Sequence, residues 1–138
     1  MLSRKAQVSI EYMVIVVFGI LVAGILWIYA YTNIESNKWD IEVAYAENAI
    51  SQITNAADKV YIQGPPAKVY IYPNFPDGIK NINLSGSTVT FQLLWKNDTL
   101  RNISAMAVSN ITGSLSVAPG THKILVQAVE SYVKVEET

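Results

Sequence analysis

The chain has 138 residues, of which 51% are hydrophobic and 15% charged, and its formal net charge is -1. This length suits one modest domain plus one extended element, and the near-neutral charge argues against nucleic acid as a partner. Because the chain has no cysteine, disulfides, thiol catalysis and cysteine-ligated metal sites are excluded.

The N-terminal segment is an apolar run, Met13–Tyr31, preceded by the two cations Arg4 and Lys5. No charged residue lies between Glu11 and Glu35, and a helix over this interval spans roughly 35 Å, enough to cross a bilayer core. The two cations predict a cytoplasmic N-terminus and an external C-terminal part. Glu11 stands at the edge of the apolar run, where a charge is costly and therefore expected to have a function.

A conventional secretory signal fits this segment poorly. Such a signal has an apolar core of about 7–15 residues that ends at a small-x-small cleavage site. The run in this chain is longer, and its end at residues 27–31, Trp-Ile-Tyr-Ala-Tyr, offers no such site. The polar patch lies before the apolar run instead, so a cut between Ala6 and Gln7 would leave the hydrophobic segment on the mature protein.

The patch Lys5-Ala6-Gln7-Val8-Ser9-Ile10-Glu11-Tyr12 resembles the class III signal peptide of archaeal type IV pilins. In that pattern a basic and a small residue precede Q-x-S-x-E-Y and a hydrophobic stretch. The resemblance implies that a prepilin peptidase cuts between Ala6 and Gln7. The other residues of the processing motif are then Lys5, Ser9, Glu11 and Tyr12. The family often has glycine before the cut, where this chain has alanine.

Glu11 and the new amine at Gln7 form a candidate assembly pair. In a stack of parallel helices, the Gln7 amine of one chain can meet Glu11 of a neighbour. An isolated buried carboxylate costs several kcal/mol, whereas a paired one recovers much of that cost, so the pair would set the axial register. The alternative is an interfacial Glu11 that only marks the membrane boundary.

One long helix is predicted over residues 7–62, with a hydrophobic part at 7–34 and an amphipathic part at 35–62. No proline occurs before Pro65, and Gly64-Pro65-Pro66 ends the helix. The polar stretch 32–38 is a candidate bend. Apolar residues in the second part recur at spacings of three and four and trace one stripe: Trp39, Val43, Ala46, Ile50, Ile53, Ala57 and Val60.

A β-rich globular head is predicted over residues 63–138, because the apolar period there changes to two. Turn signals separate the alternating runs, which favours five to seven short antiparallel strands. The runs include Val89, Phe91, Leu93 and Trp95, then Leu115 and Val117, then Val133 and Val135. The predicted fold class is α+β, a type IV pilin-like long N-terminal helix whose C-terminal half packs against a small antiparallel sheet.

The head contains four N-x-S/T sequons, at Asn83, Asn97, Asn102 and Asn110, whereas residues 1–62 contain none. If the head is external, these are candidate N-glycosylation sites; a polar strand surface rich in Asn, Ser and Thr explains them equally well. Asn83 and Asn102 should face outward.

His122, the single histidine, has no evident partner and is interpreted as a solvated turn residue. No catalytic, cofactor or metal-binding motif is present.

The resemblance implies a structural subunit of an archaeal type IV adhesion pilus, not an enzyme. Its precursor would sit in the cytoplasmic membrane, and its partners would be other copies in a helical filament, the prepilin peptidase and the pilus assembly ATPase and platform proteins. After processing at Gln7 it would form an extracellular filament at the cell surface. Two alternatives stay open: a membrane-tethered binding module that never polymerises, and a minor pilin at a filament tip. Residues 1–6 would be the cleaved leader.

Overall fold

The computed structural model describes the backbone of residues 2–138 and the side chains of residues 8–34 and 37–138. Over this range a helix, α1 (Leu2–Gln63), precedes nine strands and a short 3-10 turn, Lys96–Asp98. The strands are β1 (Lys68–Ile71), β2 (Asn74–Phe75), β3 (Ile79–Ser85), β4 (Thr88–Leu94), β5 (Leu100–Met106), β6 (Ile111–Ser114), β7 (Gly120–Thr121), β8 (Ile124–Ala128) and β9 (Val133–Glu137). The chain divides into two compact units, Met1–Lys38 and Trp39–Thr138.

Helix α1 is continuous through the polar stretch 32–38 and ends at Gln63. Gly64 follows with φ +72°, a left-handed conformation that glycine adopts without steric cost. Its N–H donates to the carbonyls of Val60 and Tyr61 at 3.0 and 3.1 Å, which satisfies carbonyls that the helix leaves unpaired. The prolines at 65 and 66 then lack the N–H that another helical turn requires.

The second half of α1, residues 39–63, packs one face against the sheets and leaves the other in solvent. The buried apolar residues of this half recur at helical spacing: Val43, Ala46, Ala49, Ile50, Ile53, Ala56, Ala57 and Val60. Glu47, Asn48 and Gln52, on the opposite face, are exposed. Half of these eight apolar positions are alanines, so the strands can approach the helix backbone closely. The predicted α+β architecture, a long helix whose C-terminal half packs on a β-rich head, is thereby confirmed.

The strands form a four-stranded sheet in the order β1-β8-β9-β6, a three-stranded sheet β3-β4-β5, and the pair β2-β7. The expectation of five to seven antiparallel strands is wrong in two respects. Nine strands form in the described chain, and β6 runs parallel to β9, with Ile111 opposite Val133. Glycine at 113 permits this pairing, because a Cβ there would overlap the Val135 carbonyl group.

Leu115 and Val117 were expected in a strand, but β6 ends at Ser114. Side chains take over the backbone bonding of this segment. The Ser116 N–H donates to Glu137 Oε2 at 2.9 Å, and the Ala118 N–H donates to Ser116 Oγ at 3.3 Å. Bonds from backbone N–H groups to side-chain oxygens, one of them on the distant Glu137, compete with a strand ladder, so the alternating pattern of this segment does not become a strand.

The core of the head lies between the second half of α1 and the inner faces of the sheets. Its largest fully buried side chains come from distant parts of the sequence and include Phe75, Phe91, Ile53, Ile124 and Val126. Phe75 and Phe91 meet edge to face, with ring centroids 5.2 Å apart. At the start of this unit, Trp39 lies tilted against Trp95 at 5.7 Å, and the Arg101 guanidinium covers the Trp95 ring at 4.8 Å.

The interpretation of His122 as a solvated turn residue is wrong. Its side chain is only 8% exposed and stacks on Phe75 at 4.3 Å. Nδ1 lies 2.6 Å from Glu137 Oε1, and Nε2 lies 2.7 Å from the Ala118 carbonyl oxygen. Both partners are acceptors, so a ring nitrogen of His122 bonds to its partner by donating its N–H. His122 thereby connects the loop before β7 to the end of β9.

Replacing Glu137 with glutamine should weaken the acid sensitivity of the fold. Hydrogen bonding to His122, and then to the Ser116 N–H, holds the pKa of Glu137 below its ordinary value of 4.5. A carboxyl whose pKa is lower in the folded chain adds stability above its unfolded value and loses it as pH falls through the folded value. Below pH 4.5, urea midpoints of the full chain in detergent should fall more steeply for the wild type than for Glu137→Gln.

Glu136→Gln is the matched control, because Glu136 is the neighbouring residue and its carboxylate pairs with Lys134 at an exposed position. This variant should retain the steep pH dependence of the wild type. Parallel pH profiles for the wild type and Glu137→Gln would contradict the role assigned to the His122–Glu137 contact.

Candidate assembly surface

The first unit presents an apolar surface on every side of the helix. All residues from Val8 to Ile34 are exposed. The large apolar side chains among them are distributed around the axis; Val14, Phe18 and Trp27, for example, are 61%, 67% and 76% exposed. A helix that is hydrophobic all round requires lipid or other apolar helices as its surroundings. This surface, residues 8–34, is called the apolar surface below.

A shallow groove runs along one side of the apolar surface. It is lined entirely by apolar side chains at helical spacing: Ile10, Met13, Val14, Val17, Phe18 and Leu21. On the same helix, Gly19 and Gly24 have open space where a Cβ would stand, with no atom beyond their chain neighbours and the adjoining helix backbone within 4 Å. Small residues on an apolar helix allow a second helix backbone to approach closely.

Among the described residues, one helix is long and apolar enough to cross a membrane, by length and composition alone. The uncharged interval after Glu11 supplies this property. A membrane anchor is therefore compatible with the first unit. The same length and composition also occur in signal sequences. The processing motif, and not the helix itself, therefore distinguishes a retained membrane anchor from a signal sequence that is removed.

Polar side chains at the C-terminal end of the apolar surface bond back onto the helix. Thr32 Oγ1 donates to the carbonyls of Ile28 and Tyr29, at 3.1 and 3.0 Å. Asn33 Nδ2 donates to the Tyr29 carbonyl at 2.7 Å. These bonds satisfy the polar side chains locally, so Thr32 and Asn33 can stand next to lipid at reduced desolvation cost.

The residues of the predicted processing motif lie on helical backbone in α1. Ser9, Glu11 and Tyr12 are exposed, and Tyr12 is 70% accessible. The side chains of Lys5, Ala6 and Gln7 lie outside the described residues, so the cleavage position and the Gln7 end of the assembly pair stay predictions. Glu11 is exposed in the single chain, and a carboxylate must be exposed in this way to pair with a group of another chain.

The four sequon asparagines, Asn83, Asn97, Asn102 and Asn110, are all exposed. The outward orientation predicted for Asn83 and Asn102 is confirmed. Asn97 lies in the turn between β4 and β5 and has φ +58°. Asn110 directly precedes β6, and its carbonyl accepts the Val133 N–H.

The residues that sequence reasoning missed are Glu137 and the aromatic partners of His122 and Trp95. No local pattern links these groups, since each contact joins residues from separate elements. Within the described chain, no three His, Asp or Glu residues come close enough to hold a metal ion.

A scan against family models and searches of curated proteins and solved structures found no match to this chain. The features that indicate a function are therefore the apolar surface and the patch that precedes it.

Proposed function

We propose that this protein is a type IV pilin-like structural subunit that polymerises through the first half of α1 into an extracellular filament. The observation that carries the proposal is the apolar surface, which has no charged residue from Tyr12 to Ile34 and is exposed throughout within its own unit. By contrast, strands of the same chain cover the apolar stripe of the second half of α1. Only the first half therefore requires partners.

The mechanism is association and not catalysis. The precursor sits in the cytoplasmic membrane, where lipid covers the apolar surface, and a prepilin peptidase cuts between Ala6 and Gln7. The helix then exchanges lipid for the helices of other copies, with the pilus assembly ATPase and platform proteins driving the transfer. This exchange keeps large apolar side chains away from water, which is worth about 1.5–3 kcal/mol for each fully buried Leu, Ile or Phe.

The head forms the outer surface of this filament and supplies its adhesive contacts. The exposed Asn, Ser and Thr side chains on its strands support this external position. The same membrane-compatible helix also suits a membrane-tethered ectodomain that never polymerises. Processing at Gln7 and recovery in filaments distinguish the pilin from this tether.

N-terminal sequencing of the protein, from sheared filaments and separately from membranes, tests the proposal. Filament subunits should begin at Gln7, whereas the membrane fraction should contain some precursor that begins before Lys5. Ala6→Phe should block the cut because its bulky ring does not fit a small-residue position, and Ala6→Gly is the matched control that should be processed normally. An uncleaved, monomeric wild-type chain found only in membranes would contradict the filament role and support the tether.

A further inference from the structure

The outer face of the three-stranded sheet has an unusual composition. The register of β3, β4 and β5 sets nine residues in three rows across this face: Ser85, Thr88 and Met106; Asn83, Thr90 and Ser104; Asn81, Gln92 and Asn102. Eight of these nine side chains are amides or hydroxyls and none is charged. These nine positions are called the nonionic face below.

The strands of this sheet contain two charged residues, and both fall outside the nonionic face. Lys80 lies at the bulge between Ile79 and Asn81, where the register shifts. Arg101 pairs with the core residue Leu93, and its guanidinium covers Trp95. Neither residue therefore belongs to the rows that form the nonionic face.

The four-stranded sheet of the same head has a charged outer face. One of its rows contains Lys68, Gln127, Lys134 and Thr112, and the next contains Tyr70, Leu125, Glu136 and Ser114. Soluble proteins normally intersperse charges of both signs over their surfaces, as this sheet does. The nonionic face departs from that rule, and it is also the face that contains acceptor asparagines at two of its nine positions.

The sequons at Asn83 and Asn102 have the same geometry. In Asn83-Leu84-Ser85 and in Asn102-Ile103-Ser104, the strand period of two places the amide and the hydroxyl on the outer face together. The middle residues, Leu84 and Ile103, pack against the core. Among the described side chains, the amides of Asn83 and Asn102 make no hydrogen bond, so both are available for modification.

The sequon at Asn97 has a different local structure. It lies in the tight turn between β4 and β5, with Asn97 and Asp98 both at positive φ. The Thr99 hydroxyl donates to the Lys96 carbonyl at 2.7 Å, so the group that a transferase would recognise is already bonded. The contrast indicates that the geometry of the sequons at Asn83 and Asn102 suits an acceptor better than that of the tight turn at Asn97.

We infer that Asn83 and Asn102 carry N-linked glycans that together cover the nonionic face. In the transfer, the Asn Nδ2 bonds to the anomeric carbon of a lipid-linked oligosaccharide. The bond from that carbon to the lipid phosphate breaks, the phosphate oxygen keeps the electron pair, and an amide proton leaves. The acceptors lie on the two outer strands, one row apart and about 12 Å from each other, which leaves room for two sugar chains. The inference rests on the proposed external location of the head.

Glycopeptide mapping by mass spectrometry, on protein isolated from sheared filaments and shown to begin at Gln7, tests the inference. The wild type should carry an oligosaccharide at both Asn83 and Asn102. Asn83→Gln and Ser85→Ala should each remove one oligosaccharide mass from the intact protein, because the first removes the acceptor and the second removes only the sequon hydroxyl. Asn102→Gln and Ser104→Ala should behave in the same way at the second site.

Asn81→Gln is the matched control, because Asn81 lies on the same face but is not followed by a serine or threonine at the second position. Its intact mass should keep both oligosaccharides. Unmodified Asn83 and Asn102 in filament subunits that begin at Gln7 would overturn the glycan inference while leaving the proposed function in place. Loss of the filament role, in contrast, would appear as an N-terminus that is never processed.

Discussion

Glu11→Val should abolish filament assembly and leave processing at Ala6–Gln7 intact. The substitution removes the carboxylate that we expect to pair with the Gln7 amine of a neighbouring copy. That amine would then lie unpaired in an apolar core, and breaking a buried pair in this way costs about 3–5 kcal/mol. Each contact between subunits should weaken at least about a hundredfold, and a filament contains many such contacts.

Electron microscopy of sheared surface filaments gives the assembly readout for Glu11→Val, and N-terminal sequencing of the membrane fraction gives the processing readout. Glu47→Val is the matched control, because Glu47 is an exposed glutamate on the solvent face of the second half of α1. This control should assemble normally. Wild-type numbers of ordinary filaments from Glu11→Val would refute the pairing and leave Glu11 as a residue that only marks the membrane boundary.

Phe91→Ala should destabilise the head by about 3–5 kcal/mol, the usual range for deletion of a fully buried aromatic ring. Phe91 has no exposed surface and lies in the middle of the central strand β4, opposite Ile82 and Ile103. Its ring also supports Phe75, against which His122 stacks. The cavity would therefore affect both the three-stranded sheet and the contact between His122 and Glu137.

Urea unfolding of the full chain in detergent, followed by tryptophan fluorescence, measures the effect of Phe91→Ala. Trp39 of α1 contacts Trp95 of the head, and this contact reports the packing of the second unit. Gln92→Ala is the matched control, because Gln92 is the next residue of the strand and lies half-buried on the opposite face from the core; its change should be at most about 1 kcal/mol. Equal midpoints for Phe91→Ala and Gln92→Ala would show that the core does not depend on the Phe91 ring.

Much of the fold could be predicted because its signals are local. The uncharged run after Glu11 and the stripe that includes Ile50 and Ile53 indicate helix, and Gly64 with its two prolines indicates where the helix ends. The alternation in β4 identifies Val89, Phe91 and Leu93 as core residues, and all three are buried. In each case the pattern that identifies the element also determines which side is apolar.

The prediction failed where contacts join distant residues. The segment containing Leu115 and Val117 alternates like a strand, but its backbone bonds to side chains instead. In the sequence His122 looks like a turn residue, because its hydrogen-bond partner, Glu137, lies fifteen residues farther along the chain. Neither outcome can be obtained from periodicity, since each depends on which of several competing partners the folded chain brings near.

The sequence by itself determined the helix, its end, the apolar surface and the patch that suggests processing, because neighbouring residues encode helical period, charge and turn chemistry. Only the tertiary structure decided the parallel pairing of β6 with β9, the burial of His122 and the shared face of Asn83 and Asn102. Strand register and strand order place these groups together, and both depend on the free energy of the whole packed head and not on any local run of residues.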